Sequence, residues 1–317
     1  MHSHVFKEEN PIYLLTFKMA VPFFILISGY TFSLATKELC FKDMYHWRFL
    51  LRHFLRFTIP IMITYVMWLG IRLIGILFLN ETSLNMQQIF KTFLLGKYGP
   101  GAYYYWIMLG FLLLFPLIRQ IVFRYDIHGL FFVGIVNLFY NIFCQYYQIS
   151  VNINNVLFFR YLLLAAMGVY LYRLYQNKGE IKNEYLLKML LLGIGYQLLP
   201  IYWNYEYKIF TYWSTTSMMI SFWVFPIAYI LLKHFANIKY DNVIGRMLVL
   251  IGKASYHIMC VQIIYFVIHK KLYQLLGVGA LDIRIKCFIA IVLSVTGGIV
   301  FYFVDNKLFG RLYKKRV

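Results

Sequence analysis

Of 317 residues, 62% are apolar and only 14% are charged, with a mean hydropathy of +0.66; no water-soluble domain can bury so much apolar surface. The 21% share of aromatic residues suits lipid contact and interfacial belts. A formal charge of +19 would suggest nucleic acid in a soluble protein, but basic cytoplasmic loops account for it if the charges segregate along the chain.

The chain opens on MHSHVFKEEN, which lacks the apolar region of a cleavable signal. Apolar runs then predict helices over 11–35, 57–79, 102–118, 127–147, 156–172, 185–203, 210–232, 247–269 and 284–304. The expected fold is therefore an all-α polytopic membrane protein with about nine visible transmembrane helices. No stretch is hydrophilic and long enough for a soluble domain, so 1–317 reads as one integral membrane domain.

Lys and Arg sort by connecting segment. The segments 36–56, 119–126, 173–188, 233–253 and the C-terminal tail carry twenty, and the alternate segments carry six. The positive-inside rule then places the first set, and the C-terminus, in the cytoplasm, with residues 1–10 outside. A chain that starts outside without a signal calls for a tenth helix ahead of Met1, so the sequence is expected to be N-terminally incomplete. The four cysteines, Cys40, Cys144, Cys260 and Cys287, show no metal-type spacing. Three lie in or beside apolar spans and read as small buried hydrophobes. His2-Ser3-His4 lacks a nearby third ligand, so no metal is expected.

Lys18, Arg72 and Arg160 sit in or near apolar spans, where an unpaired charge costs roughly 2.5–3.5 kcal/mol even on the lenient insertion scale. Such residues usually face a bundle interior or a watery cavity, the alternative being that they snorkel to the interface. Lys18 and Arg160 fall toward the outer side. His2, the aromatic run Tyr103-Tyr104-Tyr105-Trp106 and Gln262 fall on the same side. A polar set within one leaflet is a candidate site.

The segment Lys18–Tyr30, KMAVPFFILISGY, has a basic residue four before a proline, then aromatics, then Ser28-Gly29-Tyr30. It resembles the hallmark segment of the membrane-bound acyltransferase family 3, O-acyltransferases of bacterial glycans. FLLRHFLRFTIP, YYYWIMLGFLLLFPLI, RYLLLAAMGVYLY and IGKASYHIMCVQIIYF follow in family order. The resemblance covers essentially the whole chain, and it implies ten helices in the plasma membrane of a bacterium. Departures are His53-x-x-Arg56 in place of Arg-x-x-Arg, and Gln262 where the family often has a histidine.

What the resemblance implies is transfer of an acyl group, with acetyl the leading expectation, from cytosolic acyl-CoA to a hydroxyl of a cell-surface or exported glycan. His2 takes the position of the family's catalytic histidine, and His4 is the other candidate. A histidine of ordinary pKa suits proton abstraction or acyl carriage. Lys18, Arg160, Gln262, Tyr105, Trp106 and Ser28 are the expected substrate-binding and oxyanion residues. Arg48, Arg52 and Arg56 recur every four residues and line one helix face, which would suit the CoA phosphates or anionic lipid. The implied partners are acyl-CoA as donor substrate, a glycan or lipid-linked saccharide acceptor and membrane lipids, with no bound cofactor and no nucleic acid. The rival readings are a transporter or flippase for a glycan or solute, which would use intramembrane charge equally well, and a non-catalytic membrane protein.

Overall fold

The structure, a computed structural model, describes residues 19–79, 85–203, 218–235, 242–275, 277 and 282–314. Every regular element among them is helical: α1 (Ala20–Ala35), α2 (Phe41–Met44), α3 (Trp47–Leu79), α4 (Met86–Leu94), α5 (Tyr104–Tyr125) and α6 (Ile127–Tyr146). α7 (Val151–Val156), a 3-10 turn over Phe158–Tyr161, α8 (Leu162–Gln176), α9 (Asn183–Trp203), α10 (Ile220–Phe235), α11 (Val243–Leu275) and α12 (Ile283–Lys314) complete the order.

Where it is described, each predicted apolar run overlaps helix, 11–18 and 210–217 lying outside the described residues, but the span count does not reach nine. Among the described residues five helices are long and apolar enough to cross a membrane: Trp47–Phe78, Tyr104–Tyr125, Ile127–Tyr146, Val243–His269 and Arg284–Tyr313. α1 and α10 are shorter apolar helices. The run 156–172 is not continuous, because Leu157 is extended and a 3-10 turn precedes the 15 residues of α8. Side chains on both sides of the break are tied to the asparagines of α7: Asn154 accepts from the Tyr140 hydroxyl at 2.8 Å and Asn155 from Arg160. The amphipathic α4, in a segment read as a connection, is opened by a reciprocal cap in which Asn85 accepts from the Gln88 N–H at 2.8 Å.

The chain divides into two compact units, Met1–Trp47 with Gly110–Ile238, and Arg48–Leu109 with Lys239–Val317. In the first, α8 is buried along nearly its whole length and packs on α1, α6 and α10. The α1–α8 contact is backbone on backbone. A Cβ at Gly29 would collide with the Ala165 carbonyl, and one at Gly168 with the Leu26 carbonyl. With lipid as apolar as any side chain, helices gain most by such close approach, which only small residues allow. Phe32 of α1 meets Phe111 and Phe115 of α5 edge-on, 5.1 and 5.5 Å between centroids.

α5 and α6 are joined by Asp126 alone, at φ 55°, ψ −129°. A non-glycine residue there stores backbone strain, and Arg173 of α8 offsets it. Its guanidinium donates to the Val122 carbonyl at 2.6 Å and to the Phe123 carbonyl, and pairs with the Asp126 carboxylate at 3.3 Å. Both carbonyls belong to the last α5 turn, where Val122 also accepts from the Asp126 N–H at 2.9 Å.

In the second unit α11 and α12 pack along each other, with Ile258 lying where a Cβ on Gly298 would be. The Tyr256 hydroxyl of α11 donates to the Phe57 carbonyl of α3 at 2.8 Å. Tyr65, Trp68, Phe93 and Tyr98 form an aromatic cluster whose centroids lie 4.8–6.2 Å apart. Large apolar side chains such as Phe78, Phe131 and Phe288 are two-thirds or more exposed, the signature of a lipid-facing surface. The cysteines follow the expectation in part: Cys144 and Cys260 are buried, Cys287 is half-buried and Cys40 is exposed.

Candidate active site

His2, His4 and Lys18 lie outside the described residues. The remaining candidates fall into two groups, one per unit.

Arg160 and Ser28 belong to the first unit. Arg160 is 7% exposed, so its guanidinium is held in the protein and does not snorkel. Its Nη1 donates to Asn155 Oδ1, and the group lies over the Tyr161 ring, 5.2 Å from the centroid. The turn that carries it is fixed from α6: Asn137 Nδ2 donates to the Phe159 carbonyl at 2.9 Å, while Asn137 Oδ1 accepts from the Leu163 N–H at 3.4 Å. Tyr140, one turn from Asn137, donates to Asn154 Oδ1 at 2.8 Å. A buried cation is thus held beside the Asn155 amide, on a turn that an α6 asparagine fixes. The asparagines were the missed signal, since polar amides inside apolar helices stay only where they bond internally.

The Ser28 hydroxyl turns back onto the Phe24 carbonyl at 2.7 Å, a bond that engages its one proton. Its neighbour Gly29 makes the α1–α8 contact, and the Tyr30 ring packs edge-on against Tyr172 and Tyr175, at 5.8 and 6.4 Å. Ser28-Gly29-Tyr30 therefore does packing work along its length. Arg72, the third intramembrane charge, lies half-buried on α3.

Tyr105, Trp106, Gln262 and the three arginines of α3 belong to the second unit. Tyr105 is buried with its hydroxyl 3.1 Å from Thr58 Oγ1, and Trp106 Nε1 donates to the Phe93 carbonyl at 3.1 Å. Gln262 is half-buried on α11. Arg48 and Arg56 are exposed and Arg52 is half-buried. His53, between them, bonds the Phe49 carbonyl through Nδ1 at 2.9 Å.

One constellation in this unit was not foreseen. His257 and Asp305, 6% and 2% exposed, meet across α11 and α12 with Nε2 3.0 Å from Oδ2. Oδ1 of the same carboxylate accepts from the Tyr313 hydroxyl at 2.9 Å. Partners 48 residues apart, in two different apolar runs, share no periodicity that sequence reading could use. The expected span 284–304 stopped one residue before Asp305. Among the described residues no group of three or more His, Cys, Asp and Glu could hold a metal ion.

A polytopic helical protein with cations and titratable groups buried in its spans belongs among membrane-embedded enzymes and transporters. The family comparison favours the enzymes. The sequence matches the acyltransferase domain over residues 2–303, and the chain belongs to the acyltransferase 3 family. No curated protein matches it, and no solved structure matches it.

Proposed function

We propose that this chain transfers an acyl group, acetyl by preference, from cytosolic acyl-CoA to a hydroxyl of a cell-surface or exported glycan, in the plasma membrane of a bacterium. The observation that carries this reading is the family match over residues 2–303. The buried Arg160 supports it chemically, because a fixed, desolvated cation suits the oxyanion of an acyl-transfer intermediate or an anionic acceptor. In this scheme His2 abstracts the acceptor proton or carries the acyl group, and Lys18 and Arg160 hold the developing charge. Tyr105, Trp106 and Gln262 in one unit and Ser28 in the other are its proposed substrate-binding residues, and Arg48, Arg52 and Arg56 receive the CoA phosphates.

The test is transfer of labelled acyl groups from acyl-CoA to the glycan fraction in membranes carrying the protein. His2→Ala is expected to lower transfer by at least about 10²-fold, the usual weight of a general base, at unchanged protein level. Undiminished transfer would remove His2 from the mechanism.

The proposed topology has its own test. Cys40 is exposed in the basic segment 36–56, so a membrane-impermeant maleimide is expected to label it only when the cytoplasmic face is opened. Cys40→Ser serves as the blank, and labelling of intact cells would invert the topology.

A further inference from the structure

The span of α3 covers 32 residues, Trp47–Phe78, where a hydrocarbon core takes about 20. Its first turns carry Arg48, Arg52 and Arg56, and its last carry Leu73, Ile74, Leu77 and Phe78, each more than half exposed. Charge belongs outside hydrocarbon and exposed apolar surface inside it, so the surplus lies at the arginine end and the core stretch ends near Phe78. Tyr65 then stands about 20 Å inward of Phe78 along the helix, at about 1.5 Å per residue. A helical side chain leans toward the helix N-terminus, which takes the Tyr65 hydroxyl deeper still.

α4 is fastened at that depth, within the same unit. The Tyr65 hydroxyl donates to the Ile89 carbonyl at 2.8 Å, and its ring lies 4.8 Å from Phe93 and 5.1 Å from Tyr98. Behind α4, the segment 95–103 turns through Gly96 and Gly101, both at positive φ, and a Cβ on Gly99 would strike Ile263 of α11. The stretch 86–103, read from sequence as a connection on the outer side, therefore sits beside the middle of α3 and not past its end. Irregular backbone at membrane depth persists only where protein covers it or where it lines water.

The side chains of α4 divide accordingly. Met86, Phe90 and Leu94 form one stripe and are 80, 63 and 40% exposed, as lipid contact requires. Gln87 and Lys91 on the adjoining stripe, and Lys97 beyond the helix, are exposed as well. Polar groups at such depth turn to a water-filled cavity and not to lipid. Arg72 falls with Tyr65 and Trp68 on one face of α3, the face toward α4. The charge that stood unexplained in an apolar run then borders the same water. The positive-inside rule gives no reason for three cations in the outer half, and 85–103 carries no acidic residue.

We propose that α4 and the segment 95–103 line an aqueous vestibule open to the outer side. On the acyl-transfer reading of the function, on which its role rests, this vestibule receives the acceptor, a saccharide bearing an anionic group. Arg72, Lys91 and Lys97 bind that group by charge-assisted hydrogen bonds, and the Gln87 amide suits the sugar hydroxyls.

Single cysteines in the full chain, in membranes, test the vestibule, with the unsubstituted protein as blank. Lys97→Cys is expected to react from outside with a small charged methanethiosulfonate but not with a maleimide carried on a long polyethylene glycol. A bimane on Phe90→Cys is expected to be quenched more by lipid with a nitroxide deep in its acyl chain than by lipid with one at the headgroup. Equal reaction with both reagents, reaction with neither, or stronger quenching at the headgroup would overturn the vestibule. For the binding role, Lys91→Gln with Lys97→Gln is expected to raise the glycan concentration for half-maximal transfer about tenfold, with the acyl-CoA requirement unmoved. Lys91→Arg with Lys97→Arg keeps the charge and should lose much less. An unmoved glycan requirement in the glutamine pair would overturn the acceptor assignment. Wild-type protein that transfers nothing would overturn the acyl-transfer reading instead, while the labelling, which needs no activity, still decides the vestibule.

Discussion

Gly168→Leu is expected to leave almost no folded protein in the membrane. A Cβ at this position would run into the Leu26 carbonyl and stand 2.9 Å from the Tyr30 nitrogen. Those obstacles are helix backbone, which cannot rotate aside as a side chain would. Overpacking ordinarily costs about 1–3 kcal/mol, and here the leucine also forces apart the pair that organises the first unit, so the upper end of that range or beyond applies. Net stabilities of a few kcal/mol leave little reserve against such a loss.

The measurement is yield of monodisperse protein in detergent, with thermal unfolding of whatever remains. Gly252→Ala is the matched control. Nothing described lies within 4 Å of the Cβ it would add, and alanine is favoured over glycine in a helix by about 1 kcal/mol. Normal yield of Gly168→Leu would mean that α1 and α8 do not make the contact described.

Arg119→Leu should be the next most damaging change. From α5, Arg119 Nη1 donates to the Leu39 carbonyl at 3.0 Å and contacts Met44 Sδ at 3.6 Å, and Nη2 reaches the Lys37 carbonyl at 3.5 Å. Its guanidinium lies over the Phe123 ring, 4.9 Å from the centroid. These bonds fasten the connection between α1 and α2. Leucine keeps much of the volume and removes the donors, leaving the Leu39 carbonyl without its partner at a cost of about 1–3 kcal/mol. The Lys37 bond is long and adds little. The loss should show as a lower unfolding temperature and faster proteolysis within 36–46, with Arg124→Ala, an exposed arginine over Tyr125, nearly neutral.

Arg119 and Arg173 also mark what sequence can and cannot convey. Both were counted among the twenty basic residues of one face, and that statistical role needs no knowledge of contacts. Their structural work, holding backbone carbonyls at the ends of α1 and α5, depends on which helices are neighbours, and no local pattern carries that. The helices themselves were legible because each is an apolar run. The discontinuity before α8 was not, because the bonds that tie it down, from Asn137, Tyr140 and Arg160, join residues whose meeting no local pattern shows.

The candidate site divides the same way. Arg160 stood out because a cation in an apolar run is costly. The role of Gly29 was carried by a resemblance, and its contact with Ala165 and Gly168 supplies the physical reason. His257 and Asp305 gave no signal, since their significance lies wholly in their meeting across α11 and α12.

The single-residue joint at Asp126 bears on how the protein is made. α5 and α6 reverse so tightly that a Cβ on Gly129 would strike the Ile121 carbonyl. Two apolar segments so joined have no slack to enter the bilayer at different times. They should leave the translocon as one hairpin, and any charge engineered to reorient one of them would have to carry the other across with it.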